Sequence, residues 1–137
     1  MLAAGAIAAA LLAGCSSGDG DAAEGDCTVV APSSPGVTEL TVVAKGNAFQ
    51  TTCYEVQPGA VTVTFTNEDT SNAHNFHLSG NGVNEATSLF KGKRSEVLEL
   101  QLTTVGSYGF ICDPHPYMKG RIVVAEPAST DAPATTA

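Results

Sequence analysis

In Val61-Thr62-Val63-Thr64-Phe65-Thr66 apolar and polar residues alternate without a break. An extended chain therefore puts Val61, Val63 and Phe65 on one face and the threonines on the other. Such a two-residue period makes a strand with one dry side and one wet side, as antiparallel sheets commonly have. The same grammar recurs along the chain. Strands are predicted over residues 40–44, 53–56, 61–66, 74–78, 97–102, 108–112 and 121–125, separated by Gly, Pro, Asn and Asp. Gln57-Pro58-Gly59-Ala60 reads as a turn between two of them. No stretch carries the periodicity of a helix, and no internal repeat is apparent. Seven or eight short strands in about 100 residues predict an all-β fold, a two-sheet β-sandwich.

The ends of the chain do not share this pattern. Residues 15–26 are small and acidic, with Asp19, Asp21, Glu24 and Asp26, and residues 126–137 are rich in Pro, Ala and Thr. Neither can bury enough apolar surface to offset the entropy of ordering. They are read as a tether and a tail around one folded domain, residues 27–125. The whole chain of 137 residues has 14 acids against 6 bases and a formal charge of -8. That balance argues against nucleic acid as a partner, since phosphate-backbone binding needs clustered cations. Within 27–125 the count is eight acids and six bases, close to neutral. Lys91, Lys93 and Arg94 form a small basic run of the kind a solvated loop carries.

Residues 1–14 are apolar and uncharged, too few for the roughly 20 residues that span a bilayer. They read as a secretion signal. The run ends Leu12-Ala13-Gly14-Cys15-Ser16-Ser17, which resembles the lipobox of bacterial lipoproteins. That resemblance implies cleavage before Cys15, lipid on its thiol, and a protein anchored to the bacterial membrane outside the cytoplasm. One acyl chain holds a protein only marginally, so the two or three chains usual for such lipoproteins are expected.

The segment Cys112-Asp113-Pro114-His115-Pro116-Tyr117-Met118 follows a predicted strand and contains C-x-x-H-x-x-M. Taken singly, these are a buried thiol, a loop histidine and a gap-filling methionine. Taken together, a thiolate, an imidazole and a thioether suit copper, whose trigonal sites use two imidazoles, one thiolate and a weak axial sulfur. A second imidazole must come from elsewhere, and the candidates are His74 and His77. In a strand His74 shares a face with Phe76 and Leu78, while His77 shares the other with Asn75. His74, at the start of the strand and on its apolar face, is expected to meet the loop at one end of the sandwich.

The loop CDPHPYMKG and the segment HNFH together resemble those of cupredoxins of the plastocyanin and amicyanin kind, over residues 37–125. The resemblance implies an eight-stranded Greek-key sandwich and one type 1 blue copper held by His74, Cys112, His115 and Met118. It implies that Asn75 hydrogen-bonds near the thiolate and orients the site. It also implies that His115, between Pro114 and Pro116, is the electron port, docking redox donor and acceptor proteins transiently. With Cys112 kept as a free thiolate, Cys27 and Cys53 are the pair left to bond, as an exported, oxidising setting permits.

The function so implied is one-electron transfer by Cu(II)/Cu(I) cycling at the cell envelope. The alternative is a lipoprotein that captures or delivers copper, which commonly carries extra Met or His around an open site. This chain has only Met1 and Met118. Catalysis is not expected. The copper enzymes of related fold need a further copper and several more histidines, and the chain has three.

Overall fold

The computed structural model describes residues 26–128; the signal-like run, Cys15 and most of the tail lie outside them. Among the described residues there are nine strands and no helix. β2 (Val37–Ala44), β4 (Gly59–Asn67) and β7 (Arg94–Leu102) form a three-stranded sheet in the order β2-β4-β7. β1 (Thr28–Val29), β3 (Cys53–Val56), β5 (His77–Gly80), β6 (Val83–Ala86), β8 (Gly106–Cys112) and β9 (His115–Val124) form the other, in the order β1-β3-β9-β8-β5-β6. The two sheets make the sandwich that the alternation predicts.

Both sheets are mixed. β4 runs antiparallel to β7, as its alternation suggests, but parallel to β2. β1, β3 and β9 are parallel to one another. Two strands fall outside the predicted set, β1 and β6. β6 is a largely exposed edge strand, so no alternation marks it. Its signal is the turn before it: Asn81 and Gly82 both take positive φ, 48° and 83°, as a two-residue hairpin turn of Asn-Gly type requires.

Inward residues of both sheets make one core. Val61, Val63 and Phe65 are at most 1% exposed, as their strand pattern demands. All five phenylalanines belong to it, and they span the two layers. Phe49, in the β2–β3 connection, stands edge-on to Phe65 of one sheet and to Phe110 of the other, at 6.5 and 5.1 Å between ring centroids. Edge-to-face pairs of this kind add roughly 0.5–1.5 kcal/mol each beyond burial. Tyr54 of β3 donates its hydroxyl to the carbonyl of Thr41 in β2, 2.8 Å away, so the sheets are tied by a hydrogen bond as well. Gly120 of β9 permits a closer approach: a Cβ there would run into the Phe110 ring and would stand 2.6 Å from the Thr52 carbonyl oxygen.

The bond between Cys27 and Cys53 forms, with their Cα atoms 4.5 Å apart. Cys27 lies just before β1 and Cys53 opens β3, so the bridge secures the first strand to the sheet edge.

Candidate metal centre

The spacing C-x-x-H has a simple cause. Asp113 and Pro114 make a two-residue turn between β8 and β9, which sets Cys112 and His115 directly opposite each other. His115, placed in a loop by its flanking prolines, is therefore the first residue of β9. The pairing then slips. The next pair is Ile111 with Lys119, so Pro116, Tyr117 and Met118 are extra residues on β9. A bulge redirects side chains, and here it turns Met118 inward to 2% exposure and leaves Pro116 and Tyr117 outside.

His74 arrives from the other side. The strand predicted over 74–78 begins only at His77, but the predicted sidedness holds: His74, Phe76 and Leu78 are all fully buried. His74 is held before the strand by reciprocal backbone hydrogen bonds with Phe90, at 3.1 and 3.2 Å. Its Nε2 lies 2.8 Å from Asp69 Oδ2. That carboxylate also accepts the backbone N–H groups of Asn47 and Gly46, which hold its carboxyl below the ordinary range. Against a carboxylate Nε2 carries the proton, and Nδ1 is left with a free lone pair. Nδ1 is the atom that faces the thiol, 3.5 Å from Cys112 Sγ.

His115 completes the cluster, with its Nδ1 also 3.5 Å from Cys112 Sγ and its ring centroid 4.9 Å from that of His74. The three donor atoms lie within 4.8 Å of one another. For first-row ions with metal–nitrogen bonds of about 2.0 Å and metal–sulfur bonds of about 2.3 Å, donors sharing a trigonal plane stand roughly 3.5–3.8 Å apart. Both imidazole nitrogens stand 3.5 Å from the thiol sulfur, close to the separation such an ion requires, and the donor set suits copper.

Burial pushes the Cys112 thiol up, against the opposing pull of the backbone N–H groups of Asn75 and His115. The apolar pocket thus favours a protonated thiol until a cation offsets the cost of the thiolate. Met118 is buried, a member of the same core cluster as Cys112.

Asn75 and His77 share a face, as predicted, and both reach Asp113. Asn75 Nδ2 donates to Asp113 Oδ2 at 2.6 Å and Asn75 Oδ1 accepts the Asp113 backbone N–H at 2.9 Å. This double clamp fixes the hairpin turn next to Cys112. His77 pairs through Nδ1 with Asp113 Oδ1 and through Nε2 with Asn84 Oδ1, both at 2.7 Å. It stands outside the donor cluster. Asp69 and Asp113 escape a reading by metal-ligand spacing, because they orient donors rather than being donors of the expected kind. The local hint at Asp69 is its backbone N–H bonded to the Asn67 side chain two residues back, a turn motif.

Comparison with known proteins agrees with the donor chemistry. Residues 37–125 match the profile of copper binding proteins of the plastocyanin/azurin family. The chain is 33% identical over 103 residues to amicyanin-alpha of Methylorubrum extorquens, covering 74% of this chain and 83% of that protein. Among solved structures, a reduced auracyanin from Roseiflexus castenholzii aligns over 64% of this chain and 96% of its own, with a TM-score of 0.58; at 22% identity the likeness is one of fold. A reduced amicyanin variant, 26% identical, aligns over 62% of this chain and 80% of its own, with a TM-score of 0.51.

Proposed function

Because this chain belongs to the plastocyanin/azurin family of copper-binding proteins, the cupredoxins, we propose that it is an electron carrier whose single type 1 copper is held by His74, Cys112, His115 and Met118. The observation that carries the assignment is the convergence of His74 Nδ1, His115 Nδ1 and Cys112 Sγ at 3.5 Å contacts. Copper at such a site supplies a one-electron couple between Cu(II) and Cu(I). The protein's own part is rigidity. Asp69 fixes the tautomer and orientation of His74, the clamp between Asn75 and Asp113 fixes the turn behind Cys112, and the hairpin fixes His115 opposite the thiol. Donors held in one arrangement rearrange little when the charge at the site changes.

His74 and Cys112 are fully buried, and His115 is half-buried beside exposed Pro114, Pro116 and Tyr117. Electrons enter and leave through the His115 edge, where the apolar collar suits the small, short-lived interfaces of redox encounters. The buried thiol favours a retained metal over one passed on to another protein. We place the protein outside the cytoplasm, anchored through lipid on Cys15. The bond between Cys27 and Cys53 supports an oxidising compartment.

The test is the visible spectrum of the protein after addition of Cu(II). An intense blue charge-transfer band from copper–thiolate bonding is expected, and a pale protein with stoichiometric copper overturns the assignment. The anchor is tested by fractionation: the full chain should sediment with membranes, and Cys15→Ser should release it.

A further inference from the structure

The basic run that reads as a solvated loop in the sequence takes a specific place in the fold. Phe90 is bridged to His74 by two backbone hydrogen bonds, so Lys91 follows directly on a residue pinned to a proposed ligand. Three residues later Arg94 opens β7 opposite Asn67, whose side chain donates to the Phe90 carbonyl. The Arg94 guanidinium lies 4.8 Å from the centre of the Phe90 ring, a cation–π contact that holds it at this end of the sandwich. Between the lysines Gly92 takes φ +80°, open to glycine at no steric cost, and the turn leaves Lys91 and Lys93 exposed on either side.

The charges around this loop are not equivalent. Among the described residues no ion pair forms on Lys91, Lys93 or Arg94. Neighbouring acids keep their charge but are fixed by partners of their own, away from the loop's cations. Glu68 pairs with Lys45 at 3.3 Å, Asp69 with His74 and two backbone N–H groups, Asp113 with Asn75 and His77, and Glu96 with the N–H and hydroxyl of Ser88. Toward the far end of the sandwich the balance reverses. Glu39 and Glu99 flank Thr62 in one row of the small sheet, while Glu55 and Glu126 lie near the end of β9. The chain as a whole carries -8, yet Lys91, Lys93 and Arg94 form an exposed cationic cluster at the ligand end.

From this asymmetry we infer that the loop Lys91-Gly92-Lys93-Arg94 is a docking rim for a redox protein whose own contact surface is acidic. The inference rests on the electron-transfer reading and names the class of partner for that site. The apolar collar around His115 supplies contact, and the loop supplies orientation, because charge complementarity steers encounter and sets register more than it adds affinity. In the encounter one electron passes from the reduced site to the oxidised partner, and no bond forms or breaks.

A small anionic acceptor separates local from net charge. The copper-loaded, reduced full chain is mixed with hexacyanoferrate(III), which takes one electron to become hexacyanoferrate(II), and the gain of the protein's visible band is followed by stopped flow. Salt is raised from about 0.01 M to about 0.1 M, which shortens the screening length from about 30 to about 10 Å. If the loop governs encounter, the rate falls with salt by about tenfold, although the net charge is negative. Lys91→Glu with Lys93→Glu, which leaves Arg94 on Phe90, should reverse the slope; Glu39→Lys with Glu99→Lys at the far end should leave it nearly unchanged. A rate that rises with salt in the parent protein, or a slope that follows net charge in both variants, overturns the proposal. So does loop-dependent binding to phosphatidylglycerol vesicles over phosphatidylcholine ones with an unchanged hexacyanoferrate slope, which assigns the cations to a lipid surface. Absence of the visible band would instead remove the copper reading itself.

Discussion

β4 and β7 keep one register for nine residue pairs, from Gly59 with Leu102 to Asn67 with Arg94. β8 and β9 keep theirs for six pairs, from Gly106 with Val124 to Ile111 with Lys119, and then slip so that Cys112 faces His115. Both are antiparallel pairs with an inner and an outer face, and both put large side chains into the same core. In the unbroken pair every position is committed to a face. The broken pair has three residues released from the ladder, and release is what lets Met118 turn inward while His115 stays at the rim. Stability and chemistry are therefore expected to separate between the two pairs.

The sharpest separation is at Cys112. Cys112→Ala should abolish the blue band completely while the metal-free protein keeps its β-sheet circular dichroism, since a small buried apolar side chain remains at that point of β8. A variant that loses the band only because it no longer folds would erase the distinction between the two pairs.

Phe65 makes the converse case on the regular pair. It is fully buried in β4 and packs near Phe49 and Phe90, at 6.5 and 5.6 Å between centroids. Phe65→Ala should lower unfolding free energy by about 3–5 kcal/mol, read from urea or thermal melts, and still give the blue band in whatever fraction remains folded. A shifted or weakened band per folded molecule would show that the regular sheet tunes the site and is not merely its support.

The same contrast explains what could be read from residues alone. Alternation marked the core strands because burial on one face writes itself into every second position, as at Val61, Val63 and Phe65. The proposed ligands were legible for a different reason: Cys112, His115 and Met118 sit close in sequence because one hairpin and one bulge carry them, and His74 stands on the apolar side of its segment. Three things left weaker traces. The edge strand β6 puts only Val83 against the core and shows mainly in its Asn81-Gly82 turn. The parallel partners of β4 and β9 depend on contacts far apart in the chain. Asp69 and Asp113 act through other residues, so no spacing rule for metal ligands selects them.

The smallest effect belongs to His77, and it tests both the choice between the two histidines and the charge pair behind the hairpin. The hydrogen bond to Asp113, then that to Asn84, raise its imidazole above the ordinary value. A raised group stabilises the fold fully below its unfolded value of about 6.5, and that contribution is lost as pH rises through the higher folded value. Metal-free protein should therefore lose a little stability across this window, and His77→Gln should flatten the decline when urea midpoints are compared from about pH 6 upward. The pair is partly open to solvent, with side-chain exposures of 29% and 46%, so the difference should stay below about 1 kcal/mol. The copper-loaded variant should keep its full band, because His74 and not His77 belongs to the donor cluster. A colourless His77→Gln protein would move the second imidazole to His77 and reverse the facing of the 74–78 segment, and with it the claim that the irregular pair meets its fourth donor on the buried side of that segment.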